Sequence, residues 1–170
     1  MDLPPSLTLI DKAKQTCYTH IKATEGISNM SNTPKKKILV VDDEKNILRL
    51  LQVTLQQKGY TVITASNGHE ALYKLKTQAP DLVILDVMMP HVDGFEVLRA
   101  MKEDACMSII PVIMLTAKAQ DEDVFKGWQS GVDCYLTKPF NPTELLTFVK
   151  RIFTAVDKHV EDDAKVYDLS

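Results

Sequence analysis

The sequence predicts an α/β fold in which parallel strands form one sheet that is covered by helices on both faces. Five short apolar runs recur along the chain, "KILVV", "YTVITA", "DLVILD", "PVIMLT" and "CYLTK". They are rich in Val, Ile and Leu and mostly lack alternation, which is typical of strands buried on both faces. Segments with helical spacing separate them, and strands that alternate with helices favour parallel pairing with right-handed crossovers.

Each of the first three apolar runs is followed by a predicted helix. Apolar residues three and four positions apart give these helices one buried face. The marking positions are Ile47, Leu50, Leu51 and Leu55 in the first helix, Ala71, Leu72 and Leu75 in the second, and Phe95, Leu98 and Met101 in the third. Gly59 is expected to end the first helix.

The fourth predicted helix, about residues 121–130, is polar apart from Val124, Phe125 and Trp128. The fifth has a clear start signal, because Asn141 suits an N-cap and Pro142 suits the first helical position. The apolar stripe of the fifth helix consists of Leu145, Val149, Ile152 and Val156.

The chain of 170 residues has room for one domain with tails. We expect the domain at residues 35–157, a flexible N-terminal extension at 1–34 and a C-terminal tail at 158–170. Neither appendage has enough apolar surface to extend the core.

Composition and charge exclude several classes of function. The formal net charge of −3 gives no electrostatic reason to expect nucleic acid as a partner. No apolar run approaches the roughly 18 residues of a membrane span, and the N-terminus lacks the pattern of a secretory signal. The three cysteines have no CxxC spacing, which favours reduced thiols in a cytoplasmic protein.

Polar side chains stand where the apolar runs end. In an open parallel sheet, ligands bind beyond the carboxyl ends of the strands, near the point where strand order reverses. The residues predicted to converge there are Asp42 and Asp43 after the first run, Asp86 after the third, Thr116 after the fourth and Lys138 after the fifth.

Three carboxylates at one edge repel one another, and a hard cation such as Mg²⁺ relieves that repulsion. One carboxylate could then attack a phosphoryl group, whose oxygens Lys138 and Thr116 could bind. Taken singly, an Asp at a strand end is more often an N-cap for the next helix. The conjunction of three acids, a Thr and a Lys on one edge favours a reactive site.

At these residues the sequence resembles the response-regulator receiver domain of two-component signalling. The matching segments are "VVDDE", "DLVILDVMMPHVDGFEVL", "PVIMLTAKA" and "GVDCYLTKPF", which keep the family's order and spacing across nearly all of residues 37–157. The resemblance implies a flavodoxin-like (βα)5 doubly wound parallel sheet with strand order 2-1-3-4-5. It also implies the stand-alone architecture of the chemotaxis regulators.

The resemblance also implies a role for each polar residue. Asp86 is implied to be the phosphoacceptor, with Thr116 and Lys138 binding the phosphoryl oxygens. Mg²⁺ is implied to bind Asp43, Asp86 and the backbone carbonyl of Met88, with Asp42 acting through a coordinated water. Thr116 and Tyr135 are the implied switch residues, and Lys138-Pro139 resembles the family's cis peptide.

A phosphorylation-activated switch is therefore the expected function, with a sensor histidine kinase or phosphotransfer protein as donor. The protein is expected to promote only its own phosphorylation and dephosphorylation. The alternative is a pseudo-receiver, a protein-binding platform that needs no phosphorylation. An aspartyl phosphatase commonly needs a second Asp at the position of Met88, and the absence of GxxxxGK[ST] excludes a P-loop enzyme.

Output is expected through the face formed by the fourth helix, fifth strand and fifth helix, toward a downstream effector protein. Winged-helix regulators pair receivers through crossed salt bridges on this face. Here Cys134 and Phe148 replace both members of one expected ion pair. We therefore expect a monomer or weak dimer, with no direct contact to nucleic acid or membrane.

Overall fold

The computed structural model describes residues 35–117 and 131–167, with side chains described as far as residue 157. The strands are β1 (Lys37–Val41), β2 (Thr61–Ala65), β3 (Leu82–Asp86), β4 (Val112–Thr116) and β5 (Cys134–Thr137). The helices are α1 (Lys45–Gln56), α2 (Gly68–Gln78), α3 (Gly94–Glu103) and α4 (Pro142–Tyr167). The fourth predicted helix lies outside the described residues, so α4 corresponds to the fifth prediction.

The five strands form one sheet in the order β2-β1-β3-β4-β5, and every neighbouring pair is parallel. The predicted strand order is therefore confirmed. Successive residues of a strand point to opposite faces, so each apolar run supplies two cores. In β1, Leu39 and Val41 lie in one buried cluster, whereas Ile38 and Val40 lie in the other. This division explains why the runs do not alternate with polar residues.

The predicted ends of the helices are confirmed where the structure describes them. Asn141 Oδ1 accepts a hydrogen bond of 2.9 Å from the Thr143 backbone N–H, and Pro142 opens α4. Helix α1 ends at Gln56, and Gly59 follows with a φ of 89°, a left-handed conformation that favours glycine.

The amino edge of the sheet is held by two aspartates that directly precede strands. Asp81 Oδ2 accepts from the Lys37 backbone N–H at 2.7 Å, while the Asp81 N–H donates to the Lys37 carbonyl at 2.7 Å. Asp133 makes the same pair of bonds with Val112, at 2.8 Å and 3.1 Å. Each aspartate therefore ties the start of its own strand to the start of the neighbouring strand.

Helix α4 continues beyond the predicted domain boundary at residue 157 and ends at Tyr167. Lys36 Nζ lies 2.7 Å from Asp157 Oδ1 and 5.4 Å from the centre of the Phe153 ring, which joins this helix to the start of β1. The division into an extension, a domain and a tail stays a prediction. Among the helices that the structure describes, none is long and apolar enough to cross a membrane.

The prediction of reduced cysteines is wrong for one of the two cysteines in the described ranges. Cys106, which follows α3, is disulfide-bonded, whereas Cys134 in β5 is a free, half-buried thiol. Burial is the main cause that raises the pKa of the Cys134 thiol.

Candidate functional site

Three polar side chains are buried at the carboxyl ends of neighbouring strands. Asp42 follows β1, Asp86 ends β3 and Thr116 ends β4, and their exposed fractions are 0%, 4% and 4%. Because β1, β3 and β4 are adjacent and parallel, their last residues reach the same edge of the sheet. The predicted convergence is confirmed for these residues, and all three side chains are almost fully buried.

Lys138, directly after β5, extends its ammonium group across this edge. Its Nζ lies 2.7 Å from Asp42 Oδ2, 3.0 Å from Asp86 Oδ1 and 3.6 Å from Glu44 Oε1. The Lys138 backbone N–H donates to the Thr116 carbonyl at 2.7 Å, which fixes the start of the side chain beside β4. The Lys138 ammonium thus contacts carboxylates at the ends of two different strands, β1 and β3.

The environment of Asp86 weakens its acidity. Burial raises the pKa of this carboxyl to about 6, Lys138 opposes the shift, and the charges of Asp42 and Asp43 add to it. Burial works against the charge of Lys138, but its hydrogen bonds with Asp42 and Asp86 outweigh burial and raise the pKa of this lysine. The Asp86 carboxyl is therefore about half ionised in weakly acidic solution, while the Lys138 ammonium stays charged.

A divalent cation fits the acidic cluster. One carboxylate oxygen from each of Asp42, Asp43 and Asp86 lies within 4.8 Å of the other two. Asp43 is exposed beside the two buried acids, so the cluster opens to solvent on one side. A hard cation with several retained waters suits an oxygen set of this kind. The side chain of Met88 is 72% exposed, and the ligand role of its backbone carbonyl stays a prediction.

The implied aromatic switch residue lies on β5, the strand next to β4. Tyr135 in β5 is half-buried, pairs with Met114 of β4 and packs against the cluster of apolar residues on its face of the sheet. Burial raises the pKa of the Tyr135 hydroxyl. The Lys138-Pro139 peptide bond is cis, as the resemblance implied. The switch roles of Thr116 and Tyr135 stay predictions.

Sequence reasoning missed two contributors to the site. Glu44, the acid that completes "VVDDE", brings a third carboxylate toward Lys138, and its own backbone N–H donates to Asp42 Oδ1 at 2.8 Å. Gly94 packs against the end of β3 so closely that a Cβ atom there would overlap the backbone of Asp86. The neighbouring acids in the sequence point to Glu44, but no pattern of spacing identifies Gly94.

Comparison with known proteins settles the family. Residues 38–150 match the family described as the response regulator receiver domain. The chain belongs to this family. The predicted recognition is therefore confirmed, and with it the assignment to two-component signalling.

The receiver is similar to several transcriptional regulators. It is 51% identical over 117 residues to the alkaline phosphatase synthesis transcriptional regulatory protein PhoP of Bacillus subtilis. This match covers 69% of the present chain and 48% of the relative. It is 46% identical over 124 residues to the probable transcriptional regulator ycf27 of Pyropia yezoensis, covering 73% and 50%. The chain thus spans about half the length of the curated relatives it matches.

Solved structures of isolated receivers are similar over nearly their whole length. The chemotaxis protein CheY4 of Vibrio cholerae is 38% identical with a TM-score of 0.66, and the match covers 69% of this chain and 98% of that one. A CheY-like receiver domain protein from Methanospirillum hungatei is 30% identical with a TM-score of 0.70, covering 74% and 98%. Both matches support the flavodoxin-like fold.

Proposed function

We propose that this receiver is a switch that accepts a phosphoryl group on Asp86 from a histidine kinase or a phosphotransfer protein. One observation carries the proposal: the Asp86 carboxylate is buried, yet it lies 3.0 Å from the Lys138 ammonium and within reach of two further carboxylates. A structural ion pair needs only one acid for one lysine. Clustered acids around a shared lysine instead suit the binding of a cation and a phosphoryl group.

In the proposed reaction, an Asp86 oxygen attacks phosphorus while the bond from phosphorus to the donor nitrogen breaks. The electron pair of that bond stays on the ring nitrogen, which takes a proton from water, so the products are an acyl phosphate on the receiver and a neutral histidine on the donor. With a pKa of about 6, Asp86 is mostly ionised at neutral pH and is available as the nucleophile. Lys138 and the Thr116 hydroxyl would bind the phosphoryl oxygens.

Asp42, Asp43, Asp86 and the Met88 carbonyl are the groups proposed to hold Mg²⁺, Asp42 through a water. Bound there, the ion would neutralise charge between the acids and the incoming phosphoryl group. The receiver would promote only its own phosphorylation and dephosphorylation, and it would act in the cytoplasm, where its proposed donors deliver phosphate.

Incubation with Mg²⁺ and acetyl phosphate tests the acceptor. We expect one acid-labile phosphoryl group per chain, placed on Asp86 by mass spectrometry, and its loss in Asp86→Ala. Asp81→Ala is the matched control, because it removes an aspartate next to the same strand at the opposite edge and should keep full labelling. Unchanged labelling of Asp86→Ala would contradict the acceptor assignment, and a wild type that takes no label would favour the pseudo-receiver.

Output is proposed to pass through the face formed by the fourth predicted helix, β5 and α4, to an effector protein. Phe148 and Cys134 are both half-buried and pack against the same cluster of the receiver's own core. Neither side chain can join an intersubunit ion pair, so we propose a monomer or weak dimer. The relatives are named as transcriptional regulators, but we propose no nucleic-acid contact for the receiver itself.

Sedimentation with and without beryllofluoride, a phosphoryl mimic, tests this assembly. We expect no tight dimer at low or high salt. A tight dimer that forms only with the mimic and dissociates in high salt would contradict the proposal.

A further inference from the structure

Gly94, the first residue of α3, lies against the last peptide of β3. A Cβ atom built on Gly94 would overlap the Asp86 carbonyl oxygen and would lie 2.9 Å from Val87 Cα and 3.0 Å from the Asp86 carbonyl carbon. All three of these neighbours are backbone atoms. No rotation of a side chain can make room for a methyl group there, so the backbone of Asp86 and Val87 would have to move.

Val87, the residue after Asp86, is held by hydrogen bonds on both its N–H and its carbonyl. The Val87 N–H donates to the Leu115 carbonyl of β4 at 2.9 Å, and the Gly94 N–H donates to the Val87 carbonyl at 3.0 Å. Val87 therefore has its donor held by the sheet and its acceptor held by the start of α3. Asp86, whose carboxylate lies 3.0 Å from the Lys138 ammonium, directly precedes this doubly hydrogen-bonded residue.

The start of α3 is held in a helical conformation by its cap. Asp93 Oδ1 accepts from the Glu96 N–H at 2.8 Å, and Glu96 Oε2 accepts from the Asp93 N–H at 3.0 Å, which is a reciprocal capping box. This cap fixes the backbone conformation of the helix start. Because the Gly94 N–H also bonds to the Val87 carbonyl, extra volume at position 94 would disturb the end of β3 as well as the helix start.

We propose that Gly94 is a positioning residue for the phosphoacceptor, because its missing side chain lets α3 set the place of the Asp86 backbone beside Lys138. This inference rests on the proposed function of Asp86. A displacement of about 1 Å in a reacting group can lower a rate by about 100-fold. We expect Gly94→Ala to move Asp86 by part of that distance and to slow phosphorylation by at least tenfold.

Gly68 offers a matched control, since it too is the first residue of a helix and is tightly packed. A Cβ atom there would lie 2.5 Å from Val92 Cγ1, 2.7 Å from Val92 Cβ and 2.7 Å from the Val92 carbonyl oxygen. The crowding falls on Val92, six residues after the phosphoacceptor. Gly68→Ala should therefore lower stability as Gly94→Ala does, but it should leave the rate of phosphorylation within about twofold of wild type.

The experiment measures labelling by acetyl phosphate over a range of Mg²⁺ and donor concentrations, well below the melting temperature of each full-length variant. We expect Gly94→Ala to lower the maximal rate at saturating donor and to raise the Mg²⁺ concentration for half-maximal rate, while the apparent affinity for acetyl phosphate changes little. Equal loss of rate in both glycine variants, or a wild-type rate in Gly94→Ala, would overturn the positioning role. If the wild-type protein took no label, that result would instead contradict the proposed function itself.

A measurement on the wild-type protein covers the case in which Gly94→Ala does not fold. Because the Gly94 N–H bonds to the Val87 carbonyl, its amide resonance reports the place of the strand end. We expect beryllofluoride with Mg²⁺ to shift the Gly94 resonance clearly and the Gly68 resonance little. A Gly94 shift no larger than that of Gly68 would contradict the coupling.

Discussion

The two edges of the sheet use the same residue type in opposite ways. At the amino edge, Asp81 and Asp133 each accept a hydrogen bond from one backbone N–H of a neighbouring strand. At the carboxyl edge, Asp42 and Asp86 share the single ammonium group of Lys138, with Asp43 beside them. The first arrangement pairs each acid with its own donor, whereas the second, among the described residues, groups several acids around one lysine.

The difference follows from which backbone groups each edge exposes. First residues of strands present N–H groups that need acceptors, so an aspartate there completes the sheet. Last residues present carbonyl groups, which add to the negative potential of nearby carboxylates. Asp42 accepts one backbone hydrogen bond there, from Glu44, and the remaining repulsion among the acids is relieved by cations or by protonation. Acids at the amino edge therefore stabilise the fold, whereas those at the carboxyl edge are the ones proposed to bind a cation and to react.

Removal of the shared cation should have the largest effect on stability. Lys138→Met leaves the buried Asp42 and Asp86 without their ammonium partner, so we expect the free energy of unfolding at pH 8 to fall by about 3 kcal/mol. Urea denaturation in EDTA measures it. Lys37→Met, at the amino edge, is the matched control and should change stability by about 0.5 kcal/mol or less. If both variants lost a similar free energy of unfolding, the proposed difference between the two edges would be contradicted.

Neutralisation of Asp86, the proposed phosphoacceptor, should stabilise the metal-free protein. The folded-state pKa of Asp86, about 6, exceeds its ordinary value of 3.8, so the folded state holds its proton more tightly. Its contribution to stability is therefore full below about pH 4 and is lost as pH rises through about 6. Asp86→Asn should raise the free energy of unfolding at pH 7.5 by about 2 kcal/mol. The variant should also flatten this pH dependence, and a less stable variant at pH 7.5 would contradict the expectation.

Mg²⁺ should stabilise the wild type by relieving the same repulsion. At ten times its dissociation constant, a ligand specific to the folded state adds about 1.4 kcal/mol. Asp43→Ala should lose most of this effect and should be slightly more stable than wild type in EDTA. Thermal unfolding with Mg²⁺ or EDTA provides the comparison. No response of the wild type to tens of millimolar Mg²⁺ would count against a metal site.

The smallest effect is expected at the amino edge. Asp81→Ala removes the acceptor of the Lys37 N–H and should cost about 1 kcal/mol at neutral pH. Asp81→Asn keeps an acceptor oxygen and should recover at least half of that loss. Neither variant should alter labelling by acetyl phosphate. If Asp81→Ala slowed phosphorylation as strongly as a substitution at the carboxyl edge, the two edges would not be functionally separate.

Local sequence determined the elements and the parallel direction of the strands. Apolar runs without alternation predicted strands with two buried faces, and the signal at Asn141 and Pro142 predicted where α4 begins. Since parallel strands end at one edge, the positions of Asp42, Asp86, Thr116 and Lys138 in the runs were enough to predict that they meet. Strand order came from the family resemblance, because short apolar runs of similar composition do not specify their neighbours.

Only the tertiary structure decided what surrounds those side chains. Burial in the folded chain raises the pKa of Asp86, and the 3.0 Å contact between Asp86 and Lys138 joins residues 52 positions apart. The need for glycine at position 94 arises where α3 meets the end of β3. Steric contact, desolvation and charge act through space over a few ångströms, so they depend on how the elements pack. Periodicity records which face of an element is buried, but it does not record which atoms it is buried against.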